Sequence, residues 1–258
     1  MKNKKDSFFD GWDQLKRYAD DLSRLHKSTK KRDVEFERIS RQLHLYAADL
    51  NMALADLRTA HTELRDAYLD TIQRLVLMAE SRDDHTGQHI VRMGCYSANL
   101  ARVLGLPARR VEQIRYAAPM HDIGKVGIPD PILKKTGRYS EADFKIMMDH
   151  PIIGARILEG SRSEILQLAR EIVLTHHEKW DGSGYPRRLA GEAIPVPGRI
   201  VALADVYDAL TSERPYKKAI SPKEARQIIR AERGKHFDPN MVDVFCAKFS
   251  AVTETPCG

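Results

Sequence analysis

The chain reads as an all-α protein, a helical bundle preceded by an N-terminal helical coiled-coil extension. Aromatic residues make up only 7% of its 258 residues, and the apolar/polar alternation that marks half-buried strands is scarce. Leu43, Leu50, Leu57 and Leu64 recur every seven residues. The rest of the chain breaks into helix-period segments bounded by serine caps, glycines and prolines.

Residues 1–40 form a charged helical segment with a loose stripe through Trp12, Leu15, Tyr18 and Leu22. Over 41–75 the leucine repeat is joined three positions later by Tyr46, Ala53, Ala60 and Ala67. That makes a heptad seam of about four repeats, favouring a parallel dimer over one helix packing on its own domain. No proline or glycine interrupts Arg32 to Glu80, so a single long helix is expected to run into the domain at 76–250. Within that domain His89–Leu106 reads as a helix ended by Gly105 and Pro107, with Cys95 in its core. Helices follow at Arg110–His121 and from Ser140, whose hydroxyl and Asp143 make a capping box, on to His150 before Pro151. Glu164–Glu178 is another, Pro195 and Pro197 keep the next stretch extended, and Arg199–Leu210 is an apolar helix. Ser221 caps a further amphipathic helix, and residues 251–258 form a tail.

Composition narrows the function classes. With 42% hydrophobic and 30% charged residues the chain is globular rather than disordered. No apolar run approaches the ~20 residues of a membrane span, and acidic residues interrupt the basic N-terminus before any signal-peptide core. Three scattered cysteines suggest neither a disulfide framework nor a zinc knuckle, and place the chain in a reducing cytoplasm. The net charge of +6 suits an anionic partner. The basic run Lys27–Arg32 is better explained as a solvated helix face than as a nucleic-acid site, because no recognition motif accompanies it.

The segment around which the chain is organised is His121-Asp122-Ile123-Gly124-Lys125. An imidazole beside a carboxylate can clamp a divalent ion, and the second carboxylate oxygen can bridge to another. Lys125 adds positive charge suited to a phosphate. Further donors accumulate along the chain: His85 and His89, His150, adjacent His176 and His177, and Asp205. Adjacent histidines on a helix point about 100° apart, which suits two neighbouring ions better than one. Asp205 and Asp208 sit three residues apart on an otherwise apolar helix, where a carboxylate is costly unless paired or metal-bound. So many imidazoles exceed one tetrahedral zinc and are too nitrogen-rich for magnesium or calcium. They suit two or three divalent ions, iron or manganese, held between helices. Such a pair activates water and polarises a phosphoryl oxygen. Lys125, Arg214 and Lys217 would neutralise phosphate charge.

Taken together, the motifs resemble the HD-GYP family, the bacterial subgroup of HD metal-dependent phosphohydrolases. The matching stretches are Arg82-Asp83 with Thr86 and His89, then His121-Asp122-Ile-Gly-Lys125 through Ile128-Pro-Asp130. His150-Pro151, His176-His177-Glu178, Gly184-Tyr185-Pro186, Asp205-Val-Tyr-Asp208 and Arg214-Pro-Tyr-Lys217 follow in the family's order. The resemblance covers roughly residues 75–250 and implies an HD-type all-α catalytic domain. It implies a phosphodiesterase that opens cyclic di-GMP to pGpG, with GMP as the alternative end product, by attack of a metal-bridging hydroxide. It implies His89, His121, Asp122, His150, His176, His177 and Asp205 as metal ligands, with His121, Asp122 and Lys125 as the catalytic group. Asp83, Lys125, Tyr185, Asp208, Arg214 and Lys217 fall on the substrate side.

One position departs from the pattern. Where trinuclear members often carry glutamate, this chain has His85, so a third ion is open. Many relatives carry a receiver domain, which about 75 residues of helix cannot hold; control is expected through the coiled coil, a diguanylate cyclase (GGDEF) partner or another upstream regulator. Two rival readings stand beside the enzyme: a non-hydrolysing cyclic di-GMP receptor, and an HD phosphohydrolase of another nucleotide.

Overall fold

A computed structural model of the chain describes residues 6–82, 87–213 and 218–255, with side chains from Trp12 onward. His85 and Asp83, expected as ligand and substrate contact, lie outside the described residues, as do Arg214 and Lys217. Among the described residues the structure is helical and no strand forms, so the all-α expectation is borne out.

The chain divides into two compact units, 1–67 and 68–258. The first is occupied, up to Ala67, by helix α1 (Asp6–Glu80), 75 residues long. Trp12, Leu15, Tyr18 and Leu22 are exposed on it, as are Leu43, Tyr46, Leu50, Leu57 and Leu64 of the heptad seam. The last turns of α1 belong to the second unit. There Leu69, Ile72, Val76 and Glu80, spaced three or four apart, are buried on one face.

The second unit continues with α2 (Gly87–Val103), α3 (Ala108–Ala117), α4 (Asp130–Leu133), α5 (Glu141–Met147), α6 (His150–Ile157), α7 (Glu164–Val173), α8 (Val196–Thr211), α9 (Pro222–Ala231), α10 (Pro239–Ala247) and α11 (Phe249–Thr253). Helix α2 packs on both α3 and α8, and α7 on α3, α6 and α8. Their shared core contains Met93, Leu100, Ile114, Met120, Ile172, Ile200 and Leu203, each essentially inaccessible. Burial of such side chains is worth about 1.5–3 kcal/mol apiece. Among the described residues, no helix is long and apolar enough to cross a membrane.

Local chemistry explains where helices begin and end, including where the sequence misleads. Ser140 and Ser221 accept from the N–H groups of Asp143 and Glu224, whose carboxylates reach back to the serine N–H groups: both capping boxes form. Gly105, at φ 81°, follows the end of α2 and suits the left-handed residue of a helix terminus. The expected helix to His121 stops at Ala117 and tightens into a 3-10 turn over Ala118–Met120, because Pro119 has no N–H for the α-helical ladder. The helix from Ser140 ends at Met147, short of His150, and Pro151 lies in the first turn of α6. Proline tolerates that position because first-turn N–H groups have no helical acceptor. Pro197 likewise lies in the first turn of α8, within the stretch expected to be extended. Cys95, expected as a plain core residue, is disulfide-bonded, and Cys246 is a free thiol.

Candidate metal centre

Helix ends and turns deliver the donors. His89 lies in the first turn of α2, His150 opens α6, and Asp205 comes from the middle of α8. His121 and Asp122 occupy the turn between Ala118–Met120 and a second 3-10 segment, Ile123–Gly127, which carries Lys125. Helix α7 closes at Val173, so His176 and His177 stand in the turn beyond it.

These residues assemble into two donor groups. Asp122, His150, His176 and His177 form one; His89, His121 and Asp205 form the other, with one donor atom from each member lying within 4.8 Å of the rest of its group. Asp122 faces both. Its Oδ1 is 3.2 Å from His150 Nε2 and 3.6 Å from His176 Nε2. Its Oδ2 is 3.3 Å from His121 Nε2 and 2.9 Å from the Lys125 ammonium. Asp205 Oδ1 lies 3.9 Å from His121 Nε2. The adjacent histidines do not serve separate groups, as the helical spacing suggested: their rings are 4.1 Å apart, both beside Asp122. The 100° rule fails because neither residue is in a helix.

The rings are oriented from behind. His121 Nδ1–H donates to Ala118 O at 3.0 Å, His150 Nδ1–H to Met147 O at 2.7 Å, and His176 Nδ1–H to Val173 O at 3.0 Å. A carbonyl only accepts, so this network places a proton on Nδ1 of each ring and turns Nε2 toward the donor group. His89 differs, since its Nδ1 faces Asp208 Oδ2 at 2.7 Å. His121 Nε2 and Asp122 Oδ1 are buried without a hydrogen bond of proper geometry despite their charged neighbours. Burying such atoms unmatched costs about 1–3 kcal/mol. Convergent imidazole and carboxylate lone pairs match a divalent cation, so the donor set fits one in each group.

Electrostatics follow from this crowding. Burial opposes charge on His121, but Asp122, Asp205 and Glu80 outweigh it and raise the imidazole to about 9. Burial likewise opposes charge on Asp122, and Lys125 and His121 overcome it, holding the carboxyl well below its usual range. Burial lowers His176 and, helped by His176 and His150, lowers His177 far below normal, keeping both rings neutral. Burial raises the Tyr185 phenol, so it stays protonated.

Tyr185 stacks on His177 with ring centres 4.7 Å apart, and its peptide to Pro186 is cis. The loop carrying it is folded back by a buried Glu178, whose carboxylate accepts from Arg187 N–H at 2.7 Å and Leu189 N–H at 2.9 Å. A Cβ on Gly184 would meet the Glu178 Cα at 2.6 Å and the His177 carbonyl at 2.5 Å, so only glycine admits this approach. Asp208, expected among the substrate contacts, instead lies behind His89, essentially inaccessible, with its carboxylate gripped by Arg92.

Sequence reasoning assigned no role to four of these residues. Glu80 is buried and its charge acts on His121. Arg92 holds Asp208, and Glu178 holds the loop. The Arg82 guanidinium donates to the Val126 and Ile128 carbonyls and pairs with Asp130 at 2.6 Å. Glu178 carried a signal, as a carboxylate directly following two ligand histidines; Glu80 and Arg92 looked like ordinary charges on helices.

A family model described as an HD domain matches residues 74–241. The chain belongs to the HD domain family. The HD-GYP resemblance carried by its motifs is borne out by its relatives. A Vibrio cholerae protein named cyclic di-GMP phosphodiesterase is 48% identical over 197 residues, covering 70% of this chain and 40% of its own. A V. cholerae 3'3'-cGAMP-specific phosphodiesterase is 43% identical over 175 residues, covering 68% of this chain and 34% of its own. The chain therefore spans well under two thirds of these relatives. A solved HD-GYP-type protein from Bdellovibrio bacteriovorus shares the fold at a TM-score of 0.53 and 18% identity, covering 72% of this chain and 63% of that one. The HD domain of this chain has a His/Asp cluster able to bind divalent metal.

Proposed function

We propose that the chain is a metal-dependent phosphodiesterase that hydrolyses cyclic di-GMP. The carrying observation is the placement of Asp122, one oxygen on each of two donor groups, with the Lys125 ammonium 2.9 Å from the second. His150, His176 and His177 would hold one ion with Asp122; His89, His121 and Asp205 would hold another. The imidazole-rich set favours iron or manganese. When bound, two such ions supply a nucleophile from water near neutral pH and neutralise phosphoryl charge. The protein's own part is placement. Main-chain carbonyls fix the His121, His150 and His176 rings, and Lys125 holds Asp122 while adding positive charge where a phosphate would lie. Tyr185 lies over His177 and offers an aromatic face and a protonated hydroxyl to a base or phosphate. Asp83, Arg214 and Lys217 complete the substrate side in this proposal, and His85 is the candidate ligand for a third ion.

The relative at 43% identity named for 3'3'-cGAMP favours that dinucleotide as a second substrate reading. The heptad seam, exposed along a single chain, supports a parallel homodimer.

The test is turnover of cyclic di-GMP and 3'3'-cGAMP by anaerobically purified protein, with pGpG and GMP separated and metal counted in the same sample. Hydrolysis of cyclic di-GMP that disappears in Asp122→Ala, with the helical spectrum retained, is expected. Preference for 3'3'-cGAMP selects the second reading, and tight binding without turnover selects a receptor.

A further inference from the structure

We infer that Asp208, clamped by Arg92, is a positioning residue that orients His89 and strengthens it as a donor for the His89/His121/Asp205 group alone. This rests on the two-ion reading above. The Asp208 carboxylate is 1% exposed and accepts from His89 Nδ1–H at 2.7 Å through Oδ2. The Arg92 guanidinium holds the same carboxylate, Nε on Oδ1 and Nη2 at 3.1 Å from Oδ2. His89 and Arg92 are three positions apart, as are Asp205 and Asp208, so each pair sits on one face of its helix. Helices α2 and α8 pack together and bring the two faces into register. His89 and Asp205 then meet on the metal side, with Arg92 and Asp208 behind them.

The asymmetry between His89 and the other rings carries the inference. His121, His150 and His176 all direct Nδ1–H at neutral main-chain carbonyls. His89 directs its own at an ionised carboxylate, a charge-assisted hydrogen bond that fixes the ring tautomer and aims Nε2 at the donor group more firmly than a carbonyl does. Arg92 offsets the cost of burying that carboxylate. Removing the charge at 208 therefore weakens one ion position and spares the other.

The experiment titrates metal-stripped, full-length protein with Mn(II) alone and counts free ion by electron paramagnetic resonance. In Asp208→Asn, which preserves shape and an accepting oxygen, one equivalent is expected to weaken by roughly ten- to a hundredfold and the other to keep its wild-type affinity. In a His89→Ala background the same substitution should add nothing, since its route is gone. Arg92→Met breaks the buried ion pair but leaves the carboxylate on His89, so it should affect Mn(II) much less than Asp208→Asn. Equal weakening of both equivalents overturns the inference. So does an undiminished affinity in Asp208→Asn, a single equivalent in the wild type, or an Arg92→Met loss as large as that of Asp208→Asn. Because no nucleotide is present, a wrong substrate assignment leaves these outcomes untouched.

Discussion

Gly124 sits where the loop bearing His121, Asp122 and Lys125 presses on the start of α6. A Cβ there would lie 1.9 Å from the His150 carbonyl oxygen and 2.5 Å from the Gly154 nitrogen, where ordinary contacts begin near 3.4 Å. Both obstacles are backbone, so no rotamer change relieves them. Gly124→Ala must part the two segments by about 1.5 Å, an overpacking that costs about 1–3 kcal/mol. The same displacement separates Asp122 from His150, now 3.2 Å apart. A misplacement of ~1 Å at a reacting centre costs on the order of a hundredfold in rate. Thermal unfolding of stripped protein, metal equivalents per chain and turnover would be measured together. The expected result is a melting temperature lower by about 2–10 °C, a weakened Asp122/His150/His176/His177 position, and a turnover loss of about a hundredfold or more. Gly160→Ala is the control: Gly160 has φ 77° but nothing within 4 Å of an added Cβ. It should cost about 1 kcal/mol through backbone strain without touching metal or rate. Wild-type metal content and turnover in Gly124→Ala would refute the close-approach reasoning.

Other perturbations address separate features. Glu178→Ala removes the acceptor of two main-chain N–H groups, so stability should fall by about 1–3 kcal/mol and KM should rise as the Tyr185 loop loosens; unchanged values in calorimetry and kinetics would remove Glu178 from that role. In metal-free protein His121 is raised to about 9 from an ordinary 6.5. Its contribution is therefore fully present below about pH 6.5 and is lost as pH rises through about 9, a decline of up to ~3 kcal/mol. Urea unfolding of chelator-treated protein at a series of pH values reads it, and stability that climbs over that window contradicts the assignment. Leu50→Lys with Leu57→Lys should convert a dimer to a monomer in sedimentation analysis while the second unit keeps its melting transition; a wild-type monomer would end the coiled-coil proposal.

The class of fold and most of the donor residues were legible because both are written locally. Heptad spacing, serine caps and histidine-rich turns need no tertiary knowledge. Helix ends were less legible where proline was involved: Pro151 starts a helix and Pro119 ends one, and the residue type alone does not say which. The partition of ligands was hidden for the same reason, since His176 and His177 share a group only because α7 stops at Val173. Glu80 and Arg92 were harder still. A charged side chain on an amphipathic helix reads as solvent-facing until the neighbouring helix that buries it is known.

The sharing of one carboxylate between two donor groups bears on how this protein can decay. A descendant that loses His89 or Asp205 keeps the Asp122, His150, His176 and His177 group whole. A descendant that loses Asp122 keeps His89, His121 and Asp205 but loses the one carboxylate that faces both groups. A change at Asp122 therefore touches both groups at once, whereas a change at His89 in α2 or Asp205 in α8 touches one.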